Sequence, residues 1–337
     1  ANLIGNINAG GGGANKNVII NGNMNVAERG TSSTGLGGSD GYFTCDRWKL
    51  AFNTSGRLTA TQDSSAPSGF ANSLKLACTT ADTSVAASEY LFLSQKIEGQ
   101  DLQRFAKGTS DAKPFALSFY VKGNASATYV AELYDEDNNR VVGKSFTVGT
   151  DWARVELSMG ADTTGALDDD NAASLTFQIW LHAGSTYNSG TLNTTWGSVT
   201  QANRAVGGSS FFDSTDRTFF ITGVQLEVGQ NPTEFEHEPF ERTLEKCQRY
   251  YAEKEIHQTY MDSNADSAQY LGYDLPVEQR ADGTGSVINQ VTYWQGGAPT
   301  NVTPSIYPKI DHIRITTSGL TSARGIVTGR IASDAEL

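Results

Sequence analysis

The sequence predicts an all-β protein: an antiparallel β-sandwich followed by one short helix and a smaller β-rich C-terminal domain, with an extended N-terminal arm in front. Three observations carry this reading. Between Tyr42 and Gly229, short segments of alternating apolar and polar residues recur about ten times, each bounded by Gly, Ser, Asn or Asp. A two-residue period sends one side chain to a core and the next away from it, and its repetition at loop-length intervals marks two packed sheets. One stretch alone, Pro239–Tyr251, has a helical period, and alternation resumes after it.

The boundaries follow in chain order. Residues 1–16 form an arm: Gly10 to Gly13 maximise chain entropy, so a neighbouring molecule must order this stretch if it is ordered at all. Leu3, Ile4 and Ile7 give the arm enough apolar character to add to a partner's sheet edge. The sandwich occupies 17–238. Its first predicted strand is Asn17–Gly22, closed by an Asn-Gly turn, and residues 29–41 read as loop. Predicted strands then follow at 42–52, 57–62, 73–78, 90–97, 115–122, 128–134, 140–147, 153–159, 174–182 and 219–228. Phe115, Leu117 and Phe119 share one face, and Val130, Glu132 and Tyr134 oppose Ala131 and Leu133. The gap from Ala183 to Ser210, rich in Gly, Ser, Thr and Asn, reads as an exposed excursion of the kind that carries binding.

In the predicted helix 239–251, Phe240, Leu244, Cys247 and Tyr251 line one face, with Pro239 in the first turn and Glu241 near the positive end of the dipole. The domain 252–337 carries predicted strands at 270–275, 286–294, 312–317 and 324–331.

Composition narrows the function. The chain has 337 residues, 25 Lys+Arg against 37 Asp+Glu and a net charge of −12. Clustered cations for phosphates are absent, which argues against nucleic acid as a partner. No apolar run approaches the ~18 residues of a membrane-spanning helix, and residues 1–5 lack a basic-then-apolar leader, so a cytoplasmically made chain without membrane insertion is expected. Cys45, Cys78 and Cys247 are odd in number and far apart, and read as buried free thiols.

Chemistry-bearing motifs are sparse. His182, His237, His257 and His312 show no metal-ligand spacing, and no nucleotide-binding glycine motif stands between a strand and a helix, so no cofactor is expected. Gly37-Gly38-Ser39-Asp40-Gly41 matches a nucleophile elbow only formally, because it lies in a glycine-rich loop ahead of a strand pattern. Glu132 with Asp135, or Glu89 with Glu98, could be paired as acids for glycoside hydrolysis. Asp135-Glu136-Asp137 and Asp168-Asp169-Asp170 could offer oxygens to Ca²⁺ but lack EF-hand spacing and read as solvated turns. Flat rings stack on sugars, and Trp180, Tyr187 and Trp196 border the excursion while Trp294 ends a C-terminal strand; Tyr187 and Trp196 are the candidate glycan platform.

Three stretches also carry a resemblance. They are Val18-Ile19-Ile20-Asn21-Gly22-Asn23-Met24-Asn25-Val26-Ala27-Glu28-Arg29-Gly30-Thr31 with Asp46-Arg47-Trp48, then Phe211–Asp216 with Ile221-Thr222-Gly223-Val224-Gln225-Leu226-Glu227-Val228-Gly229, then Pro232–Phe240 with Leu244 and Cys247-Gln248-Arg249-Tyr250-Tyr251. Together they resemble tailed-phage virion structural proteins, mostly tail fibres and related appendages, that carry a carbohydrate-binding-module-like jelly roll. The likeness spans about residues 17–275 and runs on through Tyr270–Arg280, where Gln279 stands in place of the family's usual Met. The resemblance implies a noncatalytic homotrimeric virion component, made in the bacterial host cytoplasm, contacting other phage proteins of tail or capsid and host surface glycan. It carries no catalytic residues across, and it makes the helix residues Phe240, Leu244, Cys247 and Tyr251 the expected interdomain or subunit contact. A capsid-surface decoration or head-fibre protein is the second expectation. A host-polysaccharide depolymerase is the third, weakened because no repeat of about 20–50 residues is present.

Overall fold

The computed structural model describes residues 16–261, 269–295, 298–301, 304–317 and 324–337. Leu3, Ile4 and Ile7 of the arm lie outside the described residues. The chain forms two compact units, one ending at Pro239 and the other beginning at Phe240, so the helix belongs to the second.

The first unit is an antiparallel jelly-roll sandwich. Its strands are β1 (Ser32–Leu36), β2 (Gly41–Tyr42), β3 (Lys49–Asn53), β4 (Arg57–Asp63), β5 (Ser73–Thr80), β6 (Tyr90–Glu98) and β7 (Phe115–Gly123). They continue with β8 (Ala127–Asp135), β9 (Arg140–Val148), β10 (Ala153–Ser158), β11 (Ala173–Ala183), β12 (Gly197–Ser198) and β13 (Thr218–Val228). One sheet runs β1-β4-β5-β13-β7-β10 and the other β12-β9-β8-β11-β6-β3-β2, so the chain crosses repeatedly from one layer to the other. Leu58, Leu76, Phe115, Leu117, Phe119, Phe219 and Ile221 of the first sheet meet Leu91, Leu93, Tyr129, Leu133, Phe177 and Ile179 of the second in one core. Phe119 against Phe177 and Tyr129 against Phe219 join the layers, at 6.2 and 5.5 Å between ring centroids. Each fully buried side chain of this size contributes ~1.5–3 kcal/mol, so alternation alone drives the two layers together.

Within this unit, residues 17–48 and 224–236 of the stretches that carry the resemblance bond to one another. Val18 N–H donates to Leu226 O, Val224 N–H to Gly22 O, and Leu226 N–H to Asn17 Oδ1. Trp48 Nε1 donates to Asn21 O, Asn21 Nδ2 donates to Val26 O and Asp46 O, and Arg29 pairs with Asp46. Glu227 accepts from Thr233 N–H, and Gln225 Oε1 accepts from Glu236 N–H. These motif residues bond mainly to one another, which is an architectural role.

Several elements depart from expectation. Asn17–Gly22 is not a strand: Asn21 and Met24 adopt left-handed φ of 55° and 58°. The Ile20 backbone N–H and carbonyl are both taken by the side chain of Gln95 instead of a ladder. The predicted strand 42–52 is split into β2 and β3, and β1 emerges from a stretch whose composition reads as loop, because its edge pairs with β4. The excursion after β11 is folded, with a short helix α1 (Ser185–Asn188), the two-residue β12 and a 3-10 turn at Gln201–Asn203.

In the second unit, α2 (Phe240–Gln248) precedes β14 (Tyr251–Met261), β15 (Gln269–Asp274), β16 (Thr284–Gln295), β17 (Ala298–Asn301), β18 (Ser305–Pro308), β19 (His312–Thr317) and β20 (Arg324–Asp334). They form the sheets β14-β20-β16-β17 and β15-β19-β18 around Ala252, Leu275, Val291, Ile313, Ile315 and Ile331. The helix stops three residues earlier than its period predicts. Tyr251 opens β14 opposite Asp334 because the following Glu-Lys-Glu-Ile-His alternation finds a partner in β20. Thr243 and Cys247 are the buried residues of α2, Leu244 is half-buried, and Phe240 is 51% exposed.

Candidate functional site

The turn that leaves β10 and the folded excursion together make a cleft of about 310 Å³. It is lined by Lys144 of β9, Ser158 of β10, Met159–Ala161, Thr194, Thr195, Trp196 and Gln230. Apart from Lys144 and the Trp196 ring, the wall consists of hydroxyls, an amide, backbone and the apolar side chains of Met159 and Ala161. Gln230 Nε2 donates to Ser158 Oγ at 3.3 Å, which joins two of the polar groups.

Trp196 is fixed from behind. Its Nε1–H donates to Gly160 O at 3.2 Å, and its ring lies 5.6 Å from Phe115 at a tilt of 54°. Lys107 Nζ sits 5.1 Å from the ring centroid. Lys107 is fully buried and pairs with Asp135 and, at 3.2 Å, Asp162, while also donating to Thr164 O and Gly165 O. Arg140 closes this ion cluster with two bonds to Asp162, at 2.7 and 2.9 Å. Burial pushes the Asp162 carboxyl up, but the Arg140 guanidinium, the Thr164 N–H and Lys107 outweigh it and hold it below the usual carboxylate range. Asp135, expected in a solvated turn, is instead the buried anchor of Lys107. Asp137 accepts from Asp168 N–H, so the two acidic loops touch.

Tyr187 goes elsewhere. Its ring packs against Trp180 at 5.2 Å and stands edge-on to Tyr90 at 5.7 Å, over the face of β6, β8 and β11 that points away from the main core. That face is closed by Arg204. Arg204 reaches Glu132 through Nε at 3.1 Å and a terminal nitrogen at 2.6 Å, and its guanidinium lies over Tyr134 and Trp180. Gln178 Nε2 and Trp180 Nε1 also donate to Glu132. The two aromatic residues proposed as one platform therefore lie in different packing environments: Trp196 walls the cleft, and Tyr187 seals the covered face. The excursion carries local structure its composition does not predict, yet apart from Gly184 and Ala205 its residues are half-buried or exposed.

The four carboxylates considered for hydrolysis are bonded: Glu132 to Arg204, Asp135 to Lys107, Glu98 to Gln100, and Glu89 to the Ala86 N–H. Cys45, Cys78 and Cys247 are buried free thiols, and burial pushes the Cys45 thiol well above its ordinary value. His237 is exposed and His312 pairs with Asp311, while the side chains of His257 and Trp294 lie outside the described residues. His182 is the exception. Together with Asp82 and Glu89 it offers ligand atoms that all lie within 4.8 Å of one another, the cluster of this kind among the described residues. No sequence spacing could have found it, since Asp82 and Glu89 share the β5–β6 connection but His182 arrives from β11. Burial holds the His182 imidazole below its ordinary value of 6.5, against the opposing pull of Glu89 and Asp82.

No family model and no curated protein matches the chain. Among solved structures it is similar to the family 11 carbohydrate-binding module of cellulosomal cellulase Lic26A-Cel5E of Clostridium thermocellum. The identity is 15% over 61% of this chain and 98% of that one, with a TM-score of 0.28. It is also similar to a family 30 carbohydrate-binding module, at 14% identity over 63% of this chain and 86% of that one with a TM-score of 0.29. A third is the CBM22-1 xylan-binding domain of Xyn10C from Paenibacillus barcinonensis, at 11% identity over 53% and 85% with a TM-score of 0.28. Likenesses this distant carry no argument about function. Among the described residues no helix is long and apolar enough to cross a membrane.

Proposed function

We propose that this chain is a noncatalytic fibre or appendage protein of a tailed-phage virion, a homotrimer attached through residues 1–16, whose sandwich binds host-surface glycan in the Trp196 cleft. The observation that carries the glycan reading is the wall of that cleft: a rigidly held indole beside hydroxyl and amide groups. A sugar presents a flat apolar face ringed by hydroxyls, and such a wall answers both halves of that chemistry. The volume falls at the small end of the roughly 300–1,000 Å³ usual for ligand sites, which favours a short segment of a glycan. The virion setting, the trimer and the arm's role rest on the sequence resemblance, and Phe240, 51% exposed, is the side chain of α2 offered to a neighbouring copy. The capsid-decoration alternative shares these features and differs in its neighbour on the particle. The noncatalytic reading is supported over a depolymerase by the pairing of the buried Glu132 and Asp135 with Arg204 and Lys107.

Trp196 cannot be removed cleanly, because it covers Lys107 and packs on Phe115, so the test uses the rim. Calorimetric titration of host polysaccharide into the full chain should show binding that weakens about tenfold in a Thr195→Ala, Gln230→Ala double variant, about 1.4 kcal/mol. Tyr187→Phe should leave affinity unchanged. Equal affinity in the rim variant would remove the cleft as the glycan site, and release of reducing ends would overturn the noncatalytic reading. Particle images that place the protein off the virion, or light scattering that gives another subunit count, would overturn the assembly.

A further inference from the structure

Asp82 follows β5, Glu89 precedes β6, and His182 lies near the end of β11 beside a register shift between Trp180 and His182. All three are buried, with His182 1% exposed. Backbone hydrogen bonds hold all three segments in place, and two of them join the Glu89 segment to the residues just after His182. Asp82 N–H donates to Phe212 O at 2.8 Å, Gly184 N–H donates to Glu89 O at 2.8 Å, and Thr186 N–H donates to Ala87 O at 2.9 Å. The side chains are oriented as well. Asp82 Oδ2 accepts from the Thr54 hydroxyl and Ser55 N–H, and Glu89 Oε2 accepts from Ala86 N–H. His182 Nδ1 is 2.8 Å from Ser210 Oγ, which already accepts from Phe212 N–H.

The remaining imidazole nitrogen has no hydrogen-bond partner. His182 Nε2 is buried and unbonded, and its separation from Glu89 Oε2 is 3.7 Å, too long for a hydrogen bond. In the neutral ring that burial favours, either tautomer leaves the cluster short of a cation. With the proton on Nδ1, a lone pair faces two carboxylates; with the proton on Nε2, a buried donor reaches neither. A buried polar atom left this way costs about 1–3 kcal/mol unless something fills the space.

We propose that Asp82, Glu89 and His182 bind a divalent cation of the zinc class, which fastens the 82–89 connection to β11. One imidazole and two carboxylates form a mixed nitrogen and oxygen set, which suits zinc rather than the all-oxygen shell of calcium. Donors on a tetrahedral zinc stand about 3.4 Å apart, from metal–ligand distances of roughly 2.0–2.2 Å, and the 3.7 Å between His182 and Glu89 needs little adjustment to meet this. Ser210 is the outer partner that fixes the ring, as metal-bound imidazoles require. The site owes nothing to the glycan reading and can hold or fail without it.

The test uses the full chain stripped with EDTA and then titrated with ZnCl₂, followed by calorimetry and thermal melting. One zinc per chain is expected, with a raised melting temperature and no comparable response to CaCl₂. His182→Gln and Glu89→Gln, which keep shape, should each weaken zinc binding at least tenfold, whereas His312→Ala should not. Because a variant could lose its fold, Co²⁺ absorption on the unaltered chain gives a second reading, with ligand-field bands expected at one equivalent. Failure of the wild-type chain to bind zinc, retention of full affinity in folded His182→Gln, or equal binding of calcium would each overturn the proposal.

Discussion

Replacing Arg204 by Met removes the cation that ties the excursion to the sheet and lies over Trp180, while keeping an unbranched apolar side chain in its place. Glu132 is fully buried, so the substitution leaves a carboxylate that water cannot readily reach. Breaking a buried pair this way typically costs about 3–5 kcal/mol. Here the Gln178 amide and Trp180 Nε1 still donate to Glu132, which places the expected loss near the lower end, about 3 kcal/mol. Glu132→Gln should cost less, about 1.5 kcal/mol, because the Arg204 side chain is 12% exposed and its guanidinium can turn to water. The double variant should cost about 2 kcal/mol, giving a coupling of roughly 2.5 kcal/mol across residues 72 apart in sequence. Urea unfolding followed by tryptophan emission reads this well, since Trp48, Trp152, Trp180 and Trp196 all lie before Pro239. Amide exchange over 184–206 should accelerate in Arg204→Met. A coupling indistinguishable from zero, or a single-variant loss under about 1 kcal/mol, would mean that the pair behaves as a surface ion pair and that packing alone seats the excursion.

Three further outcomes follow from the same structure. Gly22→Ala should lower stability by more than about 2 kcal/mol or prevent folding, because a Cβ there would stand 2.1 Å from Val224 O; an unchanged urea midpoint would disprove the close approach. Asp162, held below its ordinary value of 3.8, contributes stability that is present above that pH and lost as pH falls through its folded value. Asp162→Asn should therefore flatten the acid limb of a melting-temperature profile below about pH 4, and an unaltered limb would show that other carboxylates set it. Phe240→Ser should change monomer stability by no more than about 0.5 kcal/mol, given its exposure, while reducing subunit association measured by light scattering; an unaffected subunit count would remove Phe240 from the interface.

The strands with clean alternation were legible with errors of one or two residues: Phe115–Gly123, Ala127–Asp135, Arg140–Val148 and Ala173–Ala183 all follow from a two-residue period. Asn17–Gly22 has the composition of a strand but not the structure, because Gln95, distant in sequence, claims its backbone groups. β14 was not predicted, and only its pairing with β20 decides that the helix stops before Tyr251. In the candidate site, Trp196 could be singled out as an aromatic residue in a polar stretch. Its partner wall could not, since Ser158 and Gln230 arrive from other segments.

By itself, the sequence determined the class of fold, since alternation, turn residues and one helical period are local properties that every neighbouring residue reinforces. It also determined that the chain's surface would be acidic and rich in neutral polar groups. Tertiary structure alone decided which aromatic rings are walls and which are seals, that Asp135 and Glu132 are buried anchors rather than free acids, and that Asp82, Glu89 and His182 converge. The physical reason is common to all three. Burial and ion pairing depend on contacts between residues tens to hundreds of positions apart, and only the path of the folded chain sets those distances.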